Sequence, residues 1–197
     1  MSAPNGEPSD ERLIQSTLAG DDEAFAALVR RHKRRIFGIA GRFTRSDAEL
    51  DDLCQEIFIK AYQHLAKFRG EAPFAHWLSR VGVRTCYDHL RKTRHDRDAV
   101  VLDDIELASA DNVAPQRARE VLDFALTKLS PEERLVITLL ELEERTVREI
   151  AELTGWSESN VKVRAFRARQ SLKNILETHH ERRPTQQPLR RRPPRVA

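Results

Sequence analysis

The chain has 197 residues, of which 33% are charged and only 6% aromatic, and it holds 7 glycines, a composition that leans away from sheet and towards helix. A formal net charge of +3 with a pI near 9.1 does not by itself mark a nucleic-acid binder, so the distribution of charge must decide. The two cysteines, Cys54 and Cys86, exclude a disulfide framework, and Cys86 with His89 and His95 fits no zinc spacing and lacks a fourth ligand.

Residues 1–10 are polar, contain Pro and Gly, and carry no apolar segment of the signal-peptide kind, so they are expected to be disordered. No apolar run approaches the ~18 residues that a membrane span needs, and an intracellular chain without membrane insertion is expected. Residues 11–95 form one helical block. Phe25, Leu28, Val29, Ile36, Ile39, Ala40 and Phe43 recur at helical spacing behind a cap at Asp21 or Asp22. A second helix is expected from Ala48 to Lys67, with Leu50, Leu53, Cys54, Ile57, Phe58, Ala61, Tyr62 and Leu65 as its apolar stripe. The loop Phe68–Pro73 interrupts the pattern, and a third helix runs from Phe74 to about Lys92 with Trp77, Leu78, Val81, Val83, Tyr87 and Leu90 inward. Residues 96–116 read as a linker, acidic at Asp103, Asp104, Glu106 and Asp111.

Residues 117–177 are a second helical block with clear punctuation. Ser130-Pro131-Glu132-Glu133 and Thr146-Val147-Arg148-Glu149 are capping boxes, and Ser157 is a third N-cap. Leu153-Thr154-Gly155-Trp156 is a short Gly-containing turn between two helices, the helix-turn-helix signature. Residues 178–197 form a Pro- and Arg-rich tail without enough apolar side chains to fold alone. The expected fold is therefore all-α, two small helical domains on a linker.

On the last helix Val161, Ala165, Ala168, Leu172 and Ile175 fall on one stripe, and Lys162, Arg164, Arg167, Arg169 and Lys173 on the remaining arc. One face fixes such a helix to its domain while the other offers arginine to guanine edges and phosphates in a major groove. Ser157, Glu158, Ser159 and Asn160 at its N-terminus are placed to approach bases or phosphates. The loop and third helix combine Arg69, Arg80, Arg84, Arg91, Lys92 and Arg94 with Phe68, Phe74, Trp77 and Tyr87, a mixture suited to single-stranded nucleic acid. Phe74 and Trp77 are equally well explained as core, and Trp77 is expected there. Asp51, Asp52, Gln55 and Glu56 share a polar face opposite the stripe of the second helix. Spacing alone favours a solvated face, and a docking surface for a basic partner is the alternative. No GxxxxGKS, GxxxxGKT, GxSxG, HExxH or GxGxxG occurs, so no enzyme chemistry, metal or cofactor is expected.

The run AELDDLCQEIFIKAYQHLAKFRGEAPFAHWLSRVGVRTCYDHLRK resembles the second region of extracytoplasmic-function RNA polymerase sigma factors, and LSPEERLVITLLELEERTVREIAELTGWSESNVKVRAFRARQSLK resembles their fourth. The resemblance implies a region 2 bundle over 11–95 and a region 4 helix-turn-helix over 117–177. It implies that Asp51, Asp52, Gln55 and Glu56 dock on the clamp helices of the polymerase largest subunit, and that region 4 meets the flap. It further implies that Lys67, Phe68, Arg69, Gly70, Arg80, Arg84 and Arg91 serve the −10 element, the loop capturing a flipped base of the non-template strand. Ser157, Ser159, Asn160, Lys162, Arg164 and Arg167 would then serve the −35 element. The implied partners are core RNA polymerase, double- and single-stranded promoter DNA and an anti-sigma factor, in the cytoplasm at the nucleoid or held at the inner membrane by that anti-sigma factor. The chain departs from the pattern at Arg84, where many members have Asn, at Asn160, where Thr is commoner, and in the Arg/Pro tail. Two rival readings remain beside the resemblance: a stand-alone helix-turn-helix regulator, and a helical interaction protein that binds polymerase or an anti-sigma factor without DNA.

Overall fold

The computed structural model describes residues 8–98 and 114–181, and no strand occurs among them. Residues 1–7, the middle of the linker at 99–113 and the tail at 182–197 lie outside the described residues. The helices are α1 (Asp10–Leu18), α2 (Asp22–Ala40), α3 (Asp47–His64), α4 (Phe74–Asp98), α5 (Ala114–Lys128), α6 (Pro131–Ile137), α7 (Val147–Thr154) and α8 (Glu158–Glu181).

Local chemistry accounts for most of these boundaries. Ser9, Asp21 and Ser46 accept backbone N–H bonds at the starts of α1, α2 and α3, so Asp21 rather than Asp22 is the cap of α2. Both expected capping boxes form: Ser130 with Glu133 opens α6, and Thr146 with Glu149 opens α7. A single 3-10 turn, Leu65–Lys67, tightens the end of α3. A π-helical turn, Thr138–Leu142, prolongs α6. Gly155 stops α7 in the left-handed region at φ 79°, where a side chain would be strained.

Helices α2, α3 and α4 pack pairwise, with α1 on α2, and α8 collects α5, α6 and α7. Leu28, Ile36, Ile57, Leu78 and Val83 are the fully buried centre of the first half, and Leu135, Val136, Ile150 and Val161 that of the second. The two centres belong to one contiguous apolar cluster because α4 also packs against α6 and α7. Leu126, Leu129, Ile137 and Ala168 form a smaller cluster where α5, α6 and α8 meet.

Three expectations change. Helix α4 continues past Lys92 to Asp98, since Thr93–Asp98 contains neither Gly nor Pro to stop it. Tyr62 is not on the buried stripe; it is 46% exposed, its ring edge packs on Phe25 at 4.9 Å and its hydroxyl donates to Asp22 at 3.1 Å. A phenol at the flank of a stripe keeps its polar tip where it can be bonded. Trp77 is only half-buried; Phe74, at 3% exposure, takes the core position and Trp77 stacks on it at 5.6 Å.

The burial pattern sets the stability of the first bundle. Ile57→Ala, at a fully buried position of α3, should cost about 2–5 kcal/mol in urea unfolding, whereas Ile59→Ala, at 48% exposure, should cost under about 0.5 kcal/mol.

Candidate nucleic-acid and polymerase interfaces

Helix α3 divides cleanly. Leu53, Cys54, Ile57 and Ala61 are buried, and Asp51, Asp52, Gln55 and Glu56 are all exposed on the opposite side. Glu56 pairs with Lys60 at 2.8 Å, and Lys60 lies 3.7 Å from Asp88 of α4. Asp51, Asp52 and Gln55 therefore form an outward acidic-polar row ended by one ion pair. Such exposed pairs add little to stability, so the row has no evident structural duty. The two thiols are likewise inward: burial pushes Cys54 up to about 11 and raises Cys86 as well. Among the described residues no group of three His, Cys, Asp or Glu is placed to hold a metal ion.

A groove of about 910 Å³ lies between the loop after α3 and the outer face of α4. Lys67, Phe68, Arg69, Gly70, Arg80 and Arg84, six of the seven residues that the resemblance implies for the −10 element, line it together. Gly70, at φ 72°, gives the loop a left-handed turn that other residues resist. Phe68 packs edge-on against Phe74 at 5.6 Å and lies 5.5 Å from Trp77, so the half-buried Phe68 and Trp77 form an aromatic floor on a rigid base. Lys67, Arg69, Arg80 and Arg84 are exposed around it. Unpaired bases stack on such a floor while cations hold the backbone, each stacked base contributing about 1–3 kcal/mol. Arg91 does not join the lining; its guanidinium sits 5.9 Å over the Tyr87 ring. His64, His76 and Trp77 also line the groove. His76 was legible in principle, since His76, Arg80 and Arg84 follow one another at four-residue spacing on α4.

Ser157 caps α8 by accepting from the Asn160 N–H at 3.2 Å. Ser157, Ser159, Asn160, Lys162 and Arg167 are exposed along the first turns, with Val161, Ala165 and Ala168 buried beneath. Arg169 pairs with Glu141 at 2.7 Å and Lys173 with Glu177 at 3.7 Å, so the basic arc narrows to its N-terminal part. Arg164 is held differently: its guanidinium lies 4.2 Å over the Trp156 ring, its Nε donates to the Asn160 side chain, and it is only half-exposed. Phe166, 67% exposed, lies within the basic arc and was missed because spacing alone does not tell an exposed aromatic from a stripe residue. Apolar contact with thymine methyl groups is one use of such a residue.

The two halves touch through polar as well as apolar groups. The Tyr87 hydroxyl of α4 donates to Glu132 of α6 at 2.5 Å, and the Tyr87 ring meets Trp156 edge-on at 5.7 Å. Arg42, just beyond α2, pairs with Glu143 at 2.8 Å. Burial and then the Glu132 carboxylate push the Tyr87 phenol up to about 12. Burial pushes Glu132 up in turn, but the Tyr87 hydroxyl, its own backbone and Arg164 outweigh this and hold the carboxyl below its usual range.

Comparison with known proteins covers both halves. Residues 28–95 match the Sigma-70 region 2 family and residues 119–172 the Sigma-70, region 4 family. The chain is 32% identical to the RNA polymerase sigma-H factor of Pseudomonas aeruginosa over 85% of its length and 94% of that protein. It is 31% identical to the ECF RNA polymerase sigma factor SigM of Mycobacterium tuberculosis over 86% of each chain, and 30% identical to the ECF RNA polymerase sigma-E factor of Escherichia coli over 86% of its length and 95% of that chain. Among solved structures, CnrH in complex with the cytosolic domain of CnrY superposes with a TM-score of 0.57 at 26% identity, over 87% of this chain and 99% of that one. The sigma factor RpoE bound to the anti-sigma factor NepR of Bartonella quintana shares the fold, with a TM-score of 0.54 at 22% identity over 78% of this chain and 96% of that one.

The Tyr87–Glu132 contact has a titration signature. In a Tyr62→Phe background, tyrosinate absorbance should rise near pH 12 rather than at the ordinary value of 10, and Glu132→Gln should move it back down. Since the folded value exceeds the unfolded one, this contact's contribution to stability is complete below pH 10 and is lost as pH climbs from 10 to about 12.

Proposed function

The chain belongs to the extracytoplasmic-function branch of the sigma-70 family and is an alternative sigma factor; we propose the following division of labour among its residues. The row Asp51, Asp52, Gln55 and Glu56 docks on the clamp helices of the largest polymerase subunit, and the second half meets the flap. The groove floored by Phe68 and Trp77 captures unstacked bases of the non-template −10 strand, with Lys67, Arg69, Arg80 and Arg84 on its phosphates and Gly70 shaping the loop. The N-terminal turns of α8 enter the major groove of the −35 element, where Lys162, Arg164 and Arg167 meet bases and phosphates and Ser157, Ser159 and Asn160 approach from the helix start. Arg91 serves the backbone of the −10 strand from outside the groove.

The observation that carries this reading is the groove itself: four exposed cations gathered around a half-buried aromatic floor. Promoter melting is then physical capture. Unstacking a base costs a few kcal/mol, and stacking on Phe68 or Trp77 with neutralised phosphates offsets it. The chain makes and breaks no bond and needs no cofactor. It works in the cytoplasm at the nucleoid. An anti-sigma factor is its expected regulator, since the relatives CnrH and RpoE are seen with CnrY and with the anti-sigma factor NepR. A stand-alone helix-turn-helix regulator would use α7 and α8 but leaves the α3 row and the groove without a role. A DNA-free interaction protein leaves both basic surfaces without one.

The test is co-migration of the purified chain with bacterial core RNA polymerase on a sizing column. The wild type should co-migrate, and Asp52→Arg with Glu56→Arg should abolish co-migration while leaving helicity intact. A wild type that ignores core polymerase yet shifts duplex DNA would overturn the sigma mechanism.

A further inference from the structure

A second cluster of cations lies away from the surfaces described above. A cavity of about 210 Å³ opens where the start of α3 and the latter part of α4 meet the end of α5 and the start of α6. Phe43, Leu90, Leu129 and Pro131, all buried, give it apolar walls. Four cationic side chains line it: Arg45 just before the α3 cap, Arg94 on α4, Lys128 at the end of α5 and Arg134 on α6. Arg45, Arg94 and Lys128 are exposed, whereas Arg134 is the deepest, at 9% exposure, with its guanidinium 3.5 Å from the Phe43 carbonyl. Among the described residues the lining holds one carboxylate, Glu49, and that group is committed elsewhere. One of its oxygens lies 2.9 Å from Nε2 of His89, and the other accepts the Arg45 backbone N–H at 2.6 Å.

We propose that this cavity binds the phosphate or diphosphate group of a small solute, held by Arg45, Arg94, Lys128 and Arg134. A cleft lined by charges of one sign and walled by apolar atoms focuses the field on a small ion of the opposite sign. Guanidinium groups match phosphate oxygens with paired N–H donors, and a lysine adds a mobile point charge. The volume fits: at ~30 Å³ per water it displaces about seven waters, room for one or two phosphate groups. The cations come from four separate elements, so the anion ties the end of α5 and the start of α6 to α3 and α4 and stabilises the folded chain by mass action. None of the residues assigned above to polymerase, the −10 strand or the −35 duplex lines this cavity, so the site stands whether or not those assignments do.

The probe is sodium pyrophosphate, titrated calorimetrically into the full-length chain at an ionic strength held constant with sodium chloride. Binding should saturate, and at ten times the measured Kd the melting temperature should rise by about 3–5 °C over the chloride control. Arg45→Gln with Lys128→Gln, at two exposed positions, should leave helicity intact and weaken pyrophosphate binding by about tenfold or more. Arg80→Gln with Arg84→Gln, in the −10 groove, should bind pyrophosphate as the wild type does. The site is refuted if pyrophosphate stabilises the chain no more than chloride does. It is equally refuted if the Arg45 and Lys128 variant binds undiminished, because the anion then rests on another basic surface. An oligothymidine that displaces pyrophosphate from the Arg80 and Arg84 variant would give the cavity to the DNA backbone and overturn the assignment to a small solute.

Discussion

Helix α4 carries more constraints than any other element. Its inward face, Phe74, Leu78, Val83, Cys86 and Leu90, completes the bundle with α2 and α3. A second face receives α6 and α7, which joins the cores of the two halves. A third carries Arg80 and Arg84 into the groove. A helix surrounded by packing on two sides holds its remaining face in a fixed orientation, and that is what a site for unstacked bases requires. Gly82 faces the same centre, where a Cβ would stand at 3.6 Å from Ile36 and 3.8 Å from Ile57, in ordinary van der Waals contact, so the packing does not demand glycine there.

The charge distribution explains how a chain with a net charge of only +3 can serve a polyanion. Acidic groups form an exposed row on α3, and elsewhere they sit on cations of the same molecule, as in Glu141 with Arg169 and Glu143 with Arg42. Cations left outward gather at the groove and at the start of α8. In DNA recognition generally, phosphate contacts position a protein and sequence is read by the few side chains that reach bases. Within the helix-turn-helix the Thr146–Glu149 capping box opens the short α7 and Gly155 ends it in a tight turn, which sets where the α8 N-terminus begins.

Local signals were legible in the sequence wherever they depend on neighbours along the chain. The capping boxes at Ser130 and Thr146, the Gly155 turn, the α3 stripe at Leu53, Cys54, Ile57 and Ala61, and the groove cations on the Phe68 loop all follow from spacing and turn chemistry. What escaped depends on contacts far apart in sequence. Trp77 sits half-outside because Phe74 occupies the core place beside it and Phe68 folds back onto both. Tyr62 faces outward because Asp22, on another helix, accepts its hydroxyl. The turn Leu153–Gly155 borders the groove only because α7 packs on α4, a pairing no periodicity encodes. The assignment of Asp52 and Glu56 to polymerase docking comes from family resemblance alone, since the same four residues at the same spacing also describe an ordinary solvated face.

The central claim is that this chain directs core polymerase to promoters by reading two separated DNA elements. Its most direct test is transcription of a sheared genomic library by core polymerase, with and without the chain, followed by sequencing of RNA 5′ ends. The account predicts a discrete set of start sites that appear only with the chain and share two upstream sequence elements, the distal one losing its base preference with Arg164→Ala and Arg167→Ala. Polymerase that binds the chain yet initiates at the same sites with and without it would contradict the account.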